Sequence, residues 1–175
     1  AEPLLAGWRK QAAPPPGSRL IDLLAVDFLF SDQPVQAPAL ALMHANPGDA
    51  GWIYRNRAAR PFAKGFATHE TVADAAEDAA RLSALTAPAL VIEDASHRAP
   101  PDAADATVPV VTVTKAWPTR IALSVRSDGP GWVVVTDAFF PGWTATLDGH
   151  PVPVFPAQLL AKAVPVPAGR HVLVL

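Results

Sequence analysis

The stretch DAFFPGWTATLDGHPVPVFPAQLLAKAVPVPAGR, from Asp137 to Arg170, decides the fold class of this chain. It consists of short segments of alternating apolar residues, separated by turn residues. Pro141 removes a backbone donor and Gly142 can take positive φ, so the preceding strand is expected to end there. Asp148-Gly149 is the dipeptide favoured in two-residue hairpins, whose central residues both need positive φ. Closely spaced short strands of this kind predict an antiparallel β-sandwich or barrel.

A hairpin pattern precedes this stretch. Thr107–Ala116 alternates Val with Thr, and Arg120–Arg126 follows it across the turn Trp117-Pro118-Thr119. Alternation of this kind is typical of a strand with one buried face. We therefore expect these segments to be neighbouring strands of a sandwich that covers residues 107–175.

The end of the chain carries two further strand pairs. Pro151–Phe155 is expected to return from the Asp148-Gly149 turn. A second turn, Ala168-Gly169, is expected to join Leu159–Pro167 to His171–Leu175. Both pairs are therefore predicted as hairpins of the sandwich.

The pattern before the sandwich is mixed. Apolar residues at steps of three and four predict an amphipathic helix from Thr71 to about Leu85, with Asp78 on its solvent side. Predicted strands flank this helix, so the fold class is α+β, a small α/β lobe at 18–94 followed by an antiparallel β-sandwich of jelly-roll type. Residues 1–17 are predicted to be an N-terminal linker, and residues 95–106 the connection between the lobes.

Composition limits the classes of function. The 175 residues carry a net charge of −2 that is scattered along the chain, and they include no Cys. This gives no basis for nucleic-acid binding or for a polybasic membrane patch, and it excludes disulfides and thiolate metal sites. No apolar run reaches the roughly 18 residues of a membrane-spanning helix.

Motifs that carry chemistry are not found. No two of the five histidines have the i, i+4 spacing of a zincin, no serine lies in G-x-S-x-G, and no phosphate-binding glycine loop occurs. The carboxylate pairs Glu93-Asp94 and Asp102/Asp105 are expected at a strand end and in an exposed loop, rather than on the facing walls that glycosidases need. We therefore predict no catalytic residue, no metal site and no cofactor.

The aromatic residues after the strand at 132–135 are the first candidate for a ligand or partner surface. Phe139, Phe140 and Trp143 could stack on sugar rings or lie at a membrane interface. Alternatively, they could close the end of the sandwich. Asp137, just before them, is expected to cap the turn.

Basic residues form the second candidate. Arg57 and Arg60 lie three residues apart in a predicted loop. They could bind a phosphate or carboxylate group bidentately, because the guanidinium group presents paired donors. The alternative is an exposed basic loop without a ligand.

Three segments together resemble the C-terminal region of the bacterial YfhO family. They are Thr136–Trp143, then Asp148-Gly149, then Ala163–His171. Members of that family are polytopic membrane proteins similar to GT-C glycosyltransferases, which transfer sugar from a polyprenyl-phosphate donor to a cell-envelope acceptor. The resemblance implies a soluble extracytoplasmic domain at the cell membrane, whose partners are its own transmembrane region and a cell-envelope glycan.

The same resemblance implies that the catalytic acids lie outside this chain. The chain begins without Met and ends inside an apolar strand, so we expect it to be a piece of a longer protein. Its expected role is accessory, in acceptor binding or in bracing the membrane part. The alternatives are a stand-alone carbohydrate-binding sandwich and a structural spacer without a ligand.

Overall fold

The chain folds mostly as β-strands, arranged in two units. The computed structural model describes residues 19–46, 51–84, 89–94 and 98–175. The first unit is Ala1–Arg60 and the second is Pro61–Leu175. The predicted linker at residues 1–17 lies outside the described residues.

The first unit contains a three-stranded antiparallel sheet in the order β1-β3-β2. Its described elements are α1 (Arg19–Leu23), β1 (Phe28–Ser31), β2 (Leu40–Asn46) and β3 (Gly51–Asn56). The Asn56 side chain, at the end of β3, donates to Asp22 Oδ1 over 2.7 Å. This bond fixes the short helix to the sheet.

The second unit contains one helix and eleven described strands, and the strands form two sheets. These are β4 (Ala63–Phe66), β5 (His69–Val72), α2 (Ala75–Ala84), β6 (Leu90–Glu93), β7 (Val110–Trp117), β8 (Arg120–Ser127), β9 (Gly131–Val135), β10 (Ala145–Leu147), β11 (His150–Val152), β12 (Phe155–Ala157), β13 (Ala161–Val166) and β14 (Gly169–Val174). One sheet has the order β11-β10-β14-β8-β7, and the other has the order β4-β9-β13-β12-β6-β5. The pairs are antiparallel except β5 and β6, which are parallel and are connected through α2.

The two sheets enclose an apolar interior, as the sequence predicts for a sandwich. Leu123 and Val125 of β8 and Leu173 of β14 are buried in the same cluster as Val133 and Val135 of β9. The other face of β9 is buried too, because Trp132 and Val134 belong to a second cluster with Phe155. The six-stranded sheet is therefore covered on both faces at β9.

The expected α/β lobe at residues 18–94 is not confirmed. Strands β4 and β6 belong to the six-stranded sheet, where β4 pairs with β9 and Ile92 of β6 is opposite Ala157 of β12. The division between units follows Arg60, whereas the prediction placed it within residues 95–106. Local alternation identifies strands but carries no information on partners that are distant in sequence, so it could not show that β4 and β6 join the sheet of β9 and β12.

The helix begins later than predicted. Thr71 lies in β5, and α2 starts at Ala75. Asp74 caps the helix, because its Oδ1 accepts hydrogen bonds from the backbone N–H groups of Ala76 and Glu77, both at 2.9 Å. The predicted end at Leu85 lies outside the part of the chain that the structure describes.

Two of the predicted hairpins are confirmed: β7 pairs with β8 across Pro118-Thr119, and a second hairpin forms at Asp148-Gly149. Strands β10 and β11 pair directly across it, with φ of 52° at Asp148 and 83° at Gly149. The pairing predicted across Ala168-Gly169 is wrong, because β13 and β14 lie in different sheets. Similarly, the predicted strand Pro151–Phe155 divides into β11 and β12, one in each sheet. Alternation shows which face of a strand is apolar. It does not show the sheet, because a strand in either sheet of a sandwich can turn its apolar face to the interior.

We expect Gly65→Ala to destabilise the second unit by about 2 kcal/mol, a usual cost of overpacking against fixed neighbours. A Cβ at Gly65 would lie 2.0 Å from the Pro109 carbonyl oxygen, where the chain leading into β7 crosses β4. Urea unfolding measures the change, and Ser124→Ala on exposed β8 surface is the control, with an expected change below about 0.5 kcal/mol. Equal midpoints for Gly65→Ala and wild type would show that β4 does not meet this segment.

Candidate functional site

The predicted aromatic site is the segment that leads from β9 to β10, residues 137–143, which we call the aromatic turn. It carries the chain from the six-stranded sheet to the five-stranded sheet. Gly142 has φ of 109°, a left-handed conformation that favours glycine, and the Trp143 N–H donates to the Phe140 carbonyl over 3.3 Å. The predicted turn at Pro141 and Gly142 is therefore present, whereas the strand itself ends earlier, at Val135.

A buried lysine holds both ends of the aromatic turn. The side chain of Lys162, on β13, is 0% exposed, and its ammonium group forms an ion pair with the Asp137 carboxylate. The same Nζ donates to the Asp137 carbonyl over 3.2 Å and lies 3.8 Å from the centroid of the Trp143 ring. This places a cation over the ring face, which is an attractive arrangement. Lys162 therefore contacts the first and last residues of the turn.

Two of the three predicted aromatic residues share one open pocket. Phe140 is 65% exposed, whereas Trp143 is partly buried and packs against the sandwich core. Together with Pro118, Thr119 and Leu175 they line a pocket of about 430 Å³. Trp143 therefore covers the end of the sandwich, whereas Phe140 projects from it.

Phe139 lies in a different place from the other two aromatic residues. It lines a second pocket, of about 410 Å³, together with Glu93, Arg98 and Phe155. Its backbone N–H donates to the Leu160 carbonyl over 2.8 Å, which fixes the aromatic turn to the turn between β12 and β13. The adjacent residues Phe139 and Phe140 therefore face separate pockets.

The predicted arginine pair belongs to the first unit, in the segment after β3. Arg57 is exposed and Arg60 is half-buried. The backbone N–H of Arg60 donates to the Asp22 carbonyl over 2.9 Å, and that of Arg57 donates to the Ala39 carbonyl at the same distance. These bonds fix the backbone of the loop, and the pair stays a candidate anion site within the first unit.

Glu93, which lines the second pocket, has a carboxyl partner that the sequence prediction missed. Asp78, predicted on the solvent side of α2, is fully buried, and its Oδ2 accepts a hydrogen bond from Leu159 N–H over 2.6 Å. Burial, followed by a hydrogen bond that protonated Glu93 donates to Asp78, raises the pKa of Glu93 to about 7. Burial also raises the pKa of Asp78. With a pKa of about 7, the Glu93 carboxyl holds the proton that it shares with the Asp78 carboxylate on the acid side of neutrality.

Buried Asp78 supports a turn of unusual conformation. Gln158 and Leu159, between β12 and β13, have φ of 50° and 70°, which is uncommon for residues with a side chain. The Asp78 bond to Leu159 and a 2.9 Å bond from the Gln158 side chain to the Ala89 carbonyl hold them. Since Leu160 accepts the Phe139 N–H, this support extends to the aromatic turn.

The other carboxylates of interest have structural contacts. Asp94, expected at an exposed strand end, is buried, and its Oδ2 accepts the Ala99 N–H over 2.6 Å. Asp102 binds His69 Nδ1 over 2.7 Å, and the His69 ring lies 4.6 Å from the Trp132 ring. Within the described ranges, no group of three His, Cys, Asp or Glu residues could hold a metal ion. The described helices include none with the length and apolarity needed to cross a membrane.

Comparison with known proteins identifies no relative of this chain. No family model matches the sequence, and neither the curated proteins nor the solved structures give a significant match. The resemblance to the YfhO family therefore stays a prediction from the sequence.

We predict that Asp137→Ala destabilises the protein more than Lys162→Met. Asp137→Ala leaves the ammonium group of Lys162 buried without its counter-ion, which should cost about 3 kcal/mol. Lys162→Met leaves the Asp137 side chain, 38% exposed, in contact with water, which should cost about 1 kcal/mol. Urea unfolding of both variants and of the double variant measures the difference, with Asp128→Ala, at an exposed aspartate, as the control. Equal losses, or the reverse order, would contradict the proposed anchoring.

Stability is expected to fall between pH 5 and pH 8 through Glu93. Its folded-state pKa of about 7 lies above the ordinary value of 4.5, so its contribution is full below about pH 4.5 and is lost as the pH rises through 7. After allowance for solvent screening of this partly exposed group, the loss should be on the order of 1 kcal/mol. Denaturant unfolding across this range tests it. Glu93→Gln should flatten the profile and Asp105→Asn should not, and an unchanged profile in Glu93→Gln would rule out the shared proton.

Proposed function

We propose that this chain is an extracytoplasmic accessory domain of a polytopic membrane protein that resembles the glycosyltransferases using lipid-linked sugars. Support comes from the resemblance in residues 136–171, which carries the aromatic turn, the Asp148-Gly149 hairpin and the last two strands. On this proposal the domain lies at the outer side of the cell membrane. The transmembrane region of the same protein is its partner, and the catalytic acids belong to that region.

We also propose that the sandwich is of jelly-roll type. Strands β8, β9 and β10 alternate between the two sheets, and so do β11, β12 and β14. Strand β14 lies between β8 and β10, while β13 lies beside β9. Repeated crossing of the chain between two packed sheets is the arrangement that jelly rolls use.

The role that the geometry supports best is binding of one sugar ring of a cell-envelope acceptor. The observation that carries this role is the pocket beside Phe140, where an exposed aromatic side chain projects from a turn whose ends are fixed by Lys162. A rigid aromatic surface loses little conformational entropy when a ligand stacks on it. The residues lining the pocket include no acid or base, so it is suited to an apolar sugar face rather than to bond cleavage.

Glycan-array binding by the 175-residue chain tests the proposed role. Phe140→Ala should weaken binding of the selected glycan by about tenfold, the upper range for an aromatic contact. Phe140 is better suited to this test than Trp143, because its exposure allows removal without disturbing the Lys162 contacts. Phe30→Ala, at another exposed Phe in the first unit, is the matched control and should leave binding unchanged.

The possible outcomes separate the candidate functions. Glycan binding that survives Phe140→Ala would place the ligand elsewhere. Absence of glycan binding would leave bracing of the membrane part or a spacer role. The full-length gene sequence discriminates further, because membrane spans before and after the domain support the accessory role, whereas a secretion signal without spans supports a stand-alone carbohydrate-binding module.

A further inference from the structure

The five-stranded sheet has an outer face that is basic and free of acidic residues. None of its strands, β7, β8, β10, β11 and β14, contains Asp or Glu. In β8, Ile121, Leu123 and Val125 are buried in the sandwich, so Arg120 and Arg126 alternate to the outside, where they are exposed. We call this outer surface of the sheet the basic face.

Strand register brings further basic residues to the basic face. Arg170 of β14 lies directly opposite Arg126 of β8, and both are exposed. Lys115 of β7 lies opposite Ala122, and Trp117 lies opposite Arg120. The basic face thus carries four cationic side chains, from β7, β8 and β14. The net charge of the whole chain is −2, so the formal charges of all residues other than these four cations sum to −6.

The arrangement of these cations has an energetic cost unless an anion is nearby. Like charges directly opposite on neighbouring strands destabilise a sheet, and Arg126 and Arg170 are such a pair. Within the described ranges, no ion pair includes Arg126, Arg170, Lys115 or Arg120. A surface that gathers four unpaired cations is suited to an anionic partner.

Large apolar side chains are exposed on the same face. Val110 and Trp117, at the two ends of β7, are each 67% exposed, and Val172 of β14 is 55% exposed. Val110 lies opposite Arg126, and Val172 lies opposite Ser124, so both belong to the outer side of the sheet. Exposed Trp beside Lys and Arg is the combination found where proteins meet the headgroup region of a membrane.

We propose that the basic face docks on the surface of a bilayer containing anionic lipids. A sheet face presents its cations over a broad area, as a planar surface of headgroups requires. Lys115, Arg120, Arg126 and Arg170 contact the headgroups, and Trp117 at the hairpin tip enters the interface. The inference rests on the proposed function only in placing a membrane near the chain.

Co-sedimentation with lipid vesicles tests the proposal. The 175-residue chain should bind phosphatidylcholine vesicles that contain phosphatidylglycerol and should not bind pure phosphatidylcholine vesicles, although its own net charge is negative. Added salt should weaken the binding, since exposed charges are screened. Each basic residue near an anionic surface contributes about a fivefold gain in affinity, so Arg126→Gln with Arg170→Gln should weaken binding about 25-fold.

A matched control separates the basic face from a general effect of charge. Arg55→Gln with Arg98→Gln removes two exposed arginines from other parts of the chain and makes the same change in net charge. This double variant should change vesicle binding less than about threefold, the effect expected from net charge alone. A loss equal to that of the basic-face variant would overturn the proposal, as would equal binding to vesicles with and without phosphatidylglycerol.

Tryptophan fluorescence tests the orientation. Vesicles of brominated lipid should quench the bound wild-type chain, and Trp117→Phe should remove most of that quenching while binding is retained. Undiminished quenching in Trp117→Phe would show that another surface meets the bilayer. If heparin binds through Arg126 and Arg170 but vesicles do not, the partner is a soluble polyanion and the lipid proposal is wrong. Glycan binding is measured without vesicles, so either proposal can fail while the other stands.

Discussion

The fold depends on the burial of β9 on both of its faces. Val133 and Val135 point into the sandwich, while Trp132 and Val134 point to the opposite side and need a second cover. That second cluster includes Leu90 of β6 and Phe155 of β12, so it draws elements distant in sequence into one unit. A strand apolar throughout its length cannot lie at a solvent-exposed face, which is why β4 to β6 join the sandwich instead of forming a separate lobe.

Two buried ionisable residues then fix the turns that this packing leaves at the end of the sheet. Lys162 holds the aromatic turn, and Asp78 holds the turn at Gln158 and Leu159. The ion pair of Lys162 with Asp137 adds little net stability, because desolvation offsets much of the attraction between the charges. The contacts of Lys162 and Asp78 instead fix conformation. Each turn satisfies the buried cation or carboxylate in only one geometry and therefore adopts that geometry. The exposed position of Phe140 is a consequence of this constraint.

Features set by local chemistry could be predicted from the sequence, and features set by distant pairing could not. Turn residues identified the Asp148-Gly149 hairpin and the Pro141-Gly142 reversal, because φ preferences act within one or two residues. Asp78 shows where local signals were available but were misinterpreted. It lies three residues after Ala75 and four before Leu82, on the apolar stripe of the helix, so its spacing indicated burial while its charge suggested exposure.

Lys162 and the basic face illustrate the same division. Lys162 interrupts the apolar run Leu159–Val164, and a single charge in such a run is a signal that the residue has a buried partner. That partner, Asp137, could not be identified without knowing that β13 lies beside β9. The arginines of the basic face are scattered in the sequence, and Arg126 and Arg170 become neighbours only through the register of β8 and β14. Net charge and spacing along the chain therefore gave no indication of the face.

The hairpin tip between β7 and β8 connects the two proposed surfaces. Pro118 and Thr119 line the pocket beside Phe140, and the adjacent Trp117 ends the basic face. A chain that rests on anionic lipid through the basic face would therefore hold the pocket close to the headgroups. A pocket in that position can reach sugars attached to the membrane or lying directly on it, but not sugars far out in the envelope. The two proposals, argued from different side chains, thus agree on an acceptor located at the membrane surface.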